Sequence, residues 1–137
     1  MKPKVVIDTS TLLSACIYPD RAPAQAVRWL AQNTILFSSK STFHEAQRVL
    51  LRPNFERWRK LAEREIFIAG YRASLSFIEP TENVTDCRDP TDNQFLSLAL
   101  AAKAEFILAS DPDLLVLNPY QGISILTVKE MLAKVMH

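Results

Sequence analysis

Three acids in this chain stand where an apolar segment begins or ends, and a fourth lies inside a helical one. Asp8 follows Val5, Val6 and Ile7; Asp111 closes the β-rich run EFILAS; Asp92 heads the apolar stretch FLSLALAA; Glu45 lies inside STFHEAQRVLL. Asp113, two residues past Asp111, is close enough to add a further oxygen. Carboxylates gathered in one place repel one another and hold their protons more tightly unless a cation joins them. Ligation by oxygen alone selects the hard ions Mg²⁺ or Mn²⁺, one or two of them. Such ions serve phosphoryl chemistry, in which water is activated and charge on a scissile phosphate is stabilised.

Each acid also has an ordinary explanation. Asp92 follows Asp89 and Pro90 at the spacing of a helix cap, and Asp111 precedes Pro112 as an N-cap before a proline at the first helical position. Glu45 can pair with Arg48 at i,i+3 on a solvated helix face. Asp8 is harder to explain away, since an acid ending an apolar first strand has no evident partner beside it. Capping and catalysis are compatible, because a helix N-terminus stabilises a carboxylate whatever else it does.

The elements that must position these acids follow from period and punctuation. Strands are expected at 4–8, 35–39, over EFILASD and over ISILT. Helices are expected at 10–16, at 23–32 opened by Pro23, at 41–51 ended by Pro53, at 92–103 and at 128–136, with a helical turn after DPDLL. Residues 54–76 read as a charged helical stretch that Gly70 divides, VTDCRDP as a loop and NPYQG as a turn. Strands alternating with helices imply an α/β fold with a parallel sheet covered on both faces. In such sheets ligands bind beyond the carboxyl ends of the strands. Asp8 and Asp111 both occupy such ends, and the first turn of the 92–103 helix, with Asp92 and Asn93, returns to the same edge. Glu45 falls about 40° round from Val49 at 100° per residue, on the border of its helix's apolar face.

Composition narrows the function by exclusion. A chain of 137 residues, 48% hydrophobic, suits a single domain over 1–137 with one sizeable core. Its net charge of +1, from 16 basic and 15 acidic residues, announces no nucleic-acid or membrane partner in bulk. Cys16, Cys87, His44 and His137 are too few and scattered for a structural zinc site or a disulfide framework. Two glycines, Gly70 and Gly122, cannot build a P-loop or a dinucleotide turn. No apolar stretch reaches the roughly 18 residues of a membrane span, and MKPKVVIDTS lacks the apolar core of a signal peptide. A cytoplasmic protein is expected.

With these positions laid out, the chain resembles the PIN domain family of metal-dependent nucleases, and within it the toxins of VapC type. The resemblance spans nearly the full length and rests on VVIDTS, STFHEAQRVL, CRDPTDNQFLSLALAAKAEFILASDPDLL and ISILTVKEML. It implies a three-layer α/β/α sandwich around a parallel sheet of four to five strands. It also implies cleavage of RNA with Mg²⁺ or Mn²⁺ held by Asp8, Glu45, Asp92 and Asp111, with Asp113 beside them. Thr9 resembles the hydroxyl residue that supports the first acid, and Asn93 is placed among the supporting groups. The resemblance further implies a homodimer and a small antitoxin protein as partner. Two positions depart from the pattern: Thr91 stands where relatives commonly carry another acid, and Pro112 separates the two late aspartates.

Between positions 48 and 64 the chain gathers Arg48, Arg52, Arg57, Arg59, Lys60 and Arg64, with Phe55 and Trp58 among them. A polynucleotide groove needs phosphate contacts and stacking surfaces, and this stretch supplies both types. Glu56, Glu63 and Glu65 in the same stretch fit a salt-bridged helix or a partner interface equally well. Two other functions compete with a nuclease. One is a PIN-like module that binds RNA or protein without cutting, which the loss of a cluster acid would favour. The other is a phosphoacceptor receiver domain, which needs a mid-chain strand ending in Asp and a later Lys on the same edge.

Overall fold

A computed structural model describes residues 2–135; Met1, Met136 and His137 lie outside the described residues, and with Met136 the last residue of the helix expected at 128–136. The chain runs β1 (Lys4–Ile7), α1 (Thr9–Ile17), α2 (Ala22–Asn33), β2 (Ile35–Ser38), α3 (Lys40–Leu50), α4 (Leu61–Ala73), β3 (Leu75–Phe77), α5 (Asn93–Ala102), β4 (Phe106–Leu108), α6 (Pro112–Leu115), β5 (Ser124–Leu126) and α7 (Val128–Val135). Single 3₁₀ turns occupy Pro53–Phe55 and Pro90–Asp92. All strand pairs are parallel, in the order β3-β2-β1-β4-β5.

Alternating residues of the central strands feed two separate cores. Val5 and Ile7 of β1, with Phe106 and Leu108 of β4, pack toward α1, α2, α3 and α7 through Leu12, Leu30, Phe43 and Met131. Val6, Ile107 and Ile125 face the other way, toward Phe95, Leu96 and Ala99 of α5 and toward Leu114. Both faces are covered, which is why β1 and β4 read as unbroken apolar runs. The result is the expected three-layer α/β/α sandwich, with five strands.

The chain leaves β1 toward β2 on one side and reaches β4 on the other, so the strand order reverses between β1 and β4. A cleft opens beyond the strand ends at such a reversal, where open α/β sheets bind ligands. Asp8 directly follows β1 and Asp111 lies three residues past β4, so both acids border this point.

The charged stretch 54–76 is corrected in three respects. Residues 56–58 form a turn that leads through Arg59 and Lys60 into α4, α4 passes through Gly70 without a break, and Leu75–Phe77 is a strand rather than the end of a helix. This strand is three residues long and lies at the sheet edge, where Ser76 and Phe77 are exposed, so it carries no apolar period to betray it. The helix expected from 92 starts at Asn93, because the Pro90–Asp92 turn runs straight into it.

Candidate active site

At the sheet reversal lies a cleft of about 290 Å³. Asp8, Glu45, Asp89, Asp92 and Asp111 line it together with Thr9, Ser10 and the cation Arg52, and Leu13 and Val49 supply its apolar lining. The four principal acids read from the sequence are thus brought to one place.

Asp8 is 2% exposed and is held from three sides. Its Oδ1 accepts from the Thr11 backbone N–H at 2.9 Å, which makes it the N-cap of α1, a role the sequence reading did not assign. Its Oδ2 accepts from the N–H groups of Ser110 at 3.0 Å and Asp111 at 3.4 Å. The Asp8 backbone N–H donates to the Leu108 carbonyl at 3.0 Å, and the Thr11 and Ser110 hydroxyls meet at 2.7 Å. One carboxylate therefore ties the end of β1 to the end of β4. Burial pushes its proton affinity up, while the hydrogen bonds from Thr11, Ser110 and Asp111 pull it back.

Asp92 is placed differently. Its backbone is already helical and its side chain makes no capping bond, so the capping explanation fails for this residue. Asp89 does the capping instead: its Oδ1 accepts from the Thr91 N–H at 3.0 Å and the Thr91 hydroxyl at 2.8 Å. In a 3₁₀ turn residues i and i+3 eclipse, so Asp89 and Asp92 lie on one side of the chain. Carboxylate oxygens of Asp89, Asp92 and Asp111 all lie within 4.8 Å of one another. Asp92 Oδ2 is buried and no donor among the described residues reaches it. Only a proton, which it can then offer to Asp111, or a cation satisfies this atom. Burial, then the Asp111 carboxylate, then the charges of Asp89 and Asp8, push the Asp92 carboxyl up to about 8.

Asp111 is the N-cap of α6, its Oδ1 accepting from the Asp113 N–H at 2.8 Å, as the Asp-Pro spacing foretold. Glu45 makes no ion pair with Arg48; it accepts a hydrogen bond from the Thr9 hydroxyl, which joins α3 to α1 across the cleft. Ser39 and Thr42 close a reciprocal capping box at the start of α3 and so set the helix that carries Glu45.

Other expected residues fall elsewhere. Asp113 does not line the cleft; its backbone serves Asp111 and, through its carbonyl, the Cys87 thiol at 3.4 Å. Asn93 also faces away, with its Oδ1 accepting from the Cys87 N–H at 2.8 Å and so fixing the loop that carries Asp89. Of the basic stretch, Arg52 reaches the cleft. Arg48, Arg57 and Lys60 are exposed beyond it. Arg59 donates to the Cys16 carbonyl at 2.6 Å and pairs with Glu63 at 3.2 Å. Arg64, 1% exposed, donates to the carbonyls of Leu50, Arg52 and Arg59 and pairs with Glu56, so it holds the turn and is no phosphate contact.

The acid that the sequence reading missed is Asp89, taken only as part of a capping pattern. Its signal was the spacing Asp-Pro-Thr-Asp, which places two carboxylates on one side of a single turn.

Comparison with known proteins agrees with this geometry. A model of the PIN domain matches residues 4–113. The uncharacterized protein MJ1680 of Methanocaldococcus jannaschii is 32% identical over 134 residues, which cover 94% of this chain and 86% of the relative. Among solved structures, PAE2754 from Pyrobaculum aerophilum superposes with a TM-score of 0.66 at 15% identity, over 98% of this chain and 96% of that one. VapBC2 from Rickettsia felis, bound to a DNA fragment from its promoter, superposes with a TM-score of 0.59 at 13% identity, over 90% and 98% respectively. The two structures share the fold, and no described helix here is long and apolar enough to cross a membrane. With a family model spanning most of its length and a relative matched nearly end to end, the chain belongs to the PIN domain family.

Proposed function

We propose that this chain is a metal-dependent endoribonuclease that cuts RNA with Mg²⁺ or Mn²⁺, and that it is the toxin of a toxin–antitoxin pair. The observation that carries the reading is the unsatisfied Asp92 Oδ2, buried beside Asp89 and Asp111. This all-oxygen donor set fits a small hard cation, which would take the place of the proton that otherwise joins Asp92 to Asp111. Asp92, Asp111 and Asp89 would hold the ion. When bound, it neutralises the carboxylates and draws charge from a phosphate and an attacking water.

The chain's own residues do the rest. Asp8 fixes the two strand ends and with them the position of Asp111. Thr9 orients one Glu45 oxygen, and the remaining oxygen is the base that can take a proton from the attacking water. Arg52 supplies positive charge at the cleft rim for a phosphate of the strand. The antitoxin partner is read across from the Rickettsia felis VapBC pair, and the homodimer from the family resemblance.

The test is cleavage of single-stranded and structured RNAs by the purified protein with Mn²⁺ or with chelator. Mn²⁺-dependent cutting that Asp92→Asn lowers by at least about a hundredfold is expected, since the ion loses the atom built for it. Cutting that survives chelator or Asp92→Asn sinks the reading.

A further inference from the structure

Beside the acid cleft, and sharing the Leu13 side chain with it, lies a second hollow of about 170 Å³. Ile17 and Tyr18 at the end of α1 form one wall, and Phe55 and Trp58 from the turn before α4 form the other. We propose that this hollow stacks one base of an unpaired RNA strand whose neighbouring phosphate lies in the acid cleft. The assignment rests on the nuclease reading given above and adds to it the form of RNA that the site takes.

Size, surface and charge converge on that occupant. The hollow is smaller than the roughly 300–1,000 Å³ of pockets that enclose drug-sized ligands, and it suits a single flat ring system. Trp58 is 50% exposed, an expensive position for a large apolar ring unless something covers it. Its ring is tilted 48° from Phe55 at 6.4 Å between centroids, so neither ring closes the face of the other. Aromatic faces of this kind stack bases with little regard to sequence. Arg57 lies over one face of the Trp58 ring, 4.8 Å from its centroid, and Arg21 over one face of Tyr18 at 4.0 Å, so a base would stack on the opposite face of Trp58. Among the described residues neither of these arginines, nor Arg52 in the acid cleft, is ion-paired. Two arginines stacked on the rings of the slot and a third in the neighbouring carboxylate cleft, with no acid paired to any of them among the described residues, match a polyanion that carries flat bases.

The slot is also held in shape before anything enters. Arg59 bonds the turn to the end of α1 through the Cys16 carbonyl, and Arg64 clamps the carbonyls of Leu50, Arg52 and Arg59 from below. A preformed surface loses less freedom on binding. A base in a duplex keeps its faces stacked on its neighbours, so the slot selects single strands, loops or bulges.

The experiment uses the full chain with Trp29→Phe, which leaves Trp58 as the sole indole, and three probes: single-stranded oligoadenylate, the same oligomer with abasic positions, and its duplex with oligouridylate. On rapid mixing with Mn²⁺, the single strand should quench Trp58 emission, and the abasic oligomer and duplex should not. Trp58→Ala should raise KM for the single strand about tenfold or more with kcat little changed, and Trp58→Phe should recover most of the loss. An unchanged shift of the melting temperature with Mn²⁺ shows that the variants keep their fold and acid cluster. Quenching by the single strand without any cleavage would sink the nuclease reading yet leave the stacking slot standing. Cleavage that is indifferent to Trp58→Ala, or duplex bound as tightly as single strand, overturns the slot, leaves the nuclease, and assigns Trp58 to a protein contact.

Discussion

Asp8 and Asp92 are both buried in one cleft, yet the protein surrounds them in opposite ways. Asp8 accepts from three backbone N–H groups contributed by α1 and by the segment after β4. Asp92 has an oxygen that no described donor reaches, and three further acids around it that raise its proton affinity. The first is satisfied within the fold, and the second is satisfied only by something added. Carboxylates that share a cleft can therefore divide the work: one joins the strands that define the site, and another keeps an open valence for a ligand.

The division is broken or upheld most directly by alanine at each position. Asp8→Ala leaves three buried or half-buried donors without an acceptor and removes an N-cap, so it should cost about 3 kcal/mol of folding stability. Asp92→Ala removes repulsion as well as a side chain, so the metal-free protein should lose less than about 1 kcal/mol or gain stability. Chemical denaturation of both variants in chelator measures the contrast. Equal losses would mean that Asp92 is as much a part of the fold as Asp8, and the open-valence argument would fall.

The same contrast explains how far the sequence could be read. β1, β4 and α3 were legible because two-faced burial and a helical period write themselves into VVI, FIL and STFHEAQRVLL. Asp8 and Asp111 were legible as acids at the carboxyl ends of parallel strands, and Asp92 through the first turn of a helix that returns to that edge. The cap made by Asp8 was hidden because its strand drew attention to what precedes it, whereas its partner Thr11 follows it. Asp89 was concealed by its second job, since capping Thr91 is a complete local explanation of the residue. β3 was out of reach for a different reason: its pairing with β2 is settled by tertiary contact at an edge, not by a local pattern. Arg64 shows the limit of reading charge alone, since a cation in a basic run turned out to be the most buried member of it.

Both acids also answer to pH. Asp92 in the metal-free fold sits at about 8 against an ordinary value of 3.8. The folded state therefore keeps a proton that the unfolded chain gives up. The stability this lends is complete below about pH 4, declines as pH rises, and is gone above about pH 8. Asp8, also raised, adds with the same sign. Mn²⁺ must expel the Asp92 proton, so between about pH 6 and 8 its affinity should climb by up to about tenfold per unit. Calorimetry in buffers of different ionisation enthalpy should count about one proton released per ion at neutral pH. No proton release would place the ion away from Asp92.

The smallest effect should come from outside the cleft, and it sharpens the comparison by acting on the fold alone. Gly70 lies inside the continuous helix α4, and a Cβ built there meets nothing within 4 Å. Alanine at this position lowers the freedom of the unfolded chain and suits a helix interior, so Gly70→Ala should add about 0.5–1 kcal/mol. That corresponds to a rise of about 3 °C in melting temperature for a domain of this size. A helix that broke at Gly70 would lose stability with the same substitution, so the sign alone tests the continuity of α4. The increment in stability on adding Mn²⁺ should be the same with and without the substitution, because distant, independent sites add. A gain that disappeared once the ion was bound would couple α4 to the acid cluster, and the line between the acid that builds the fold and the acid that awaits a ligand would have to be redrawn to include the helix.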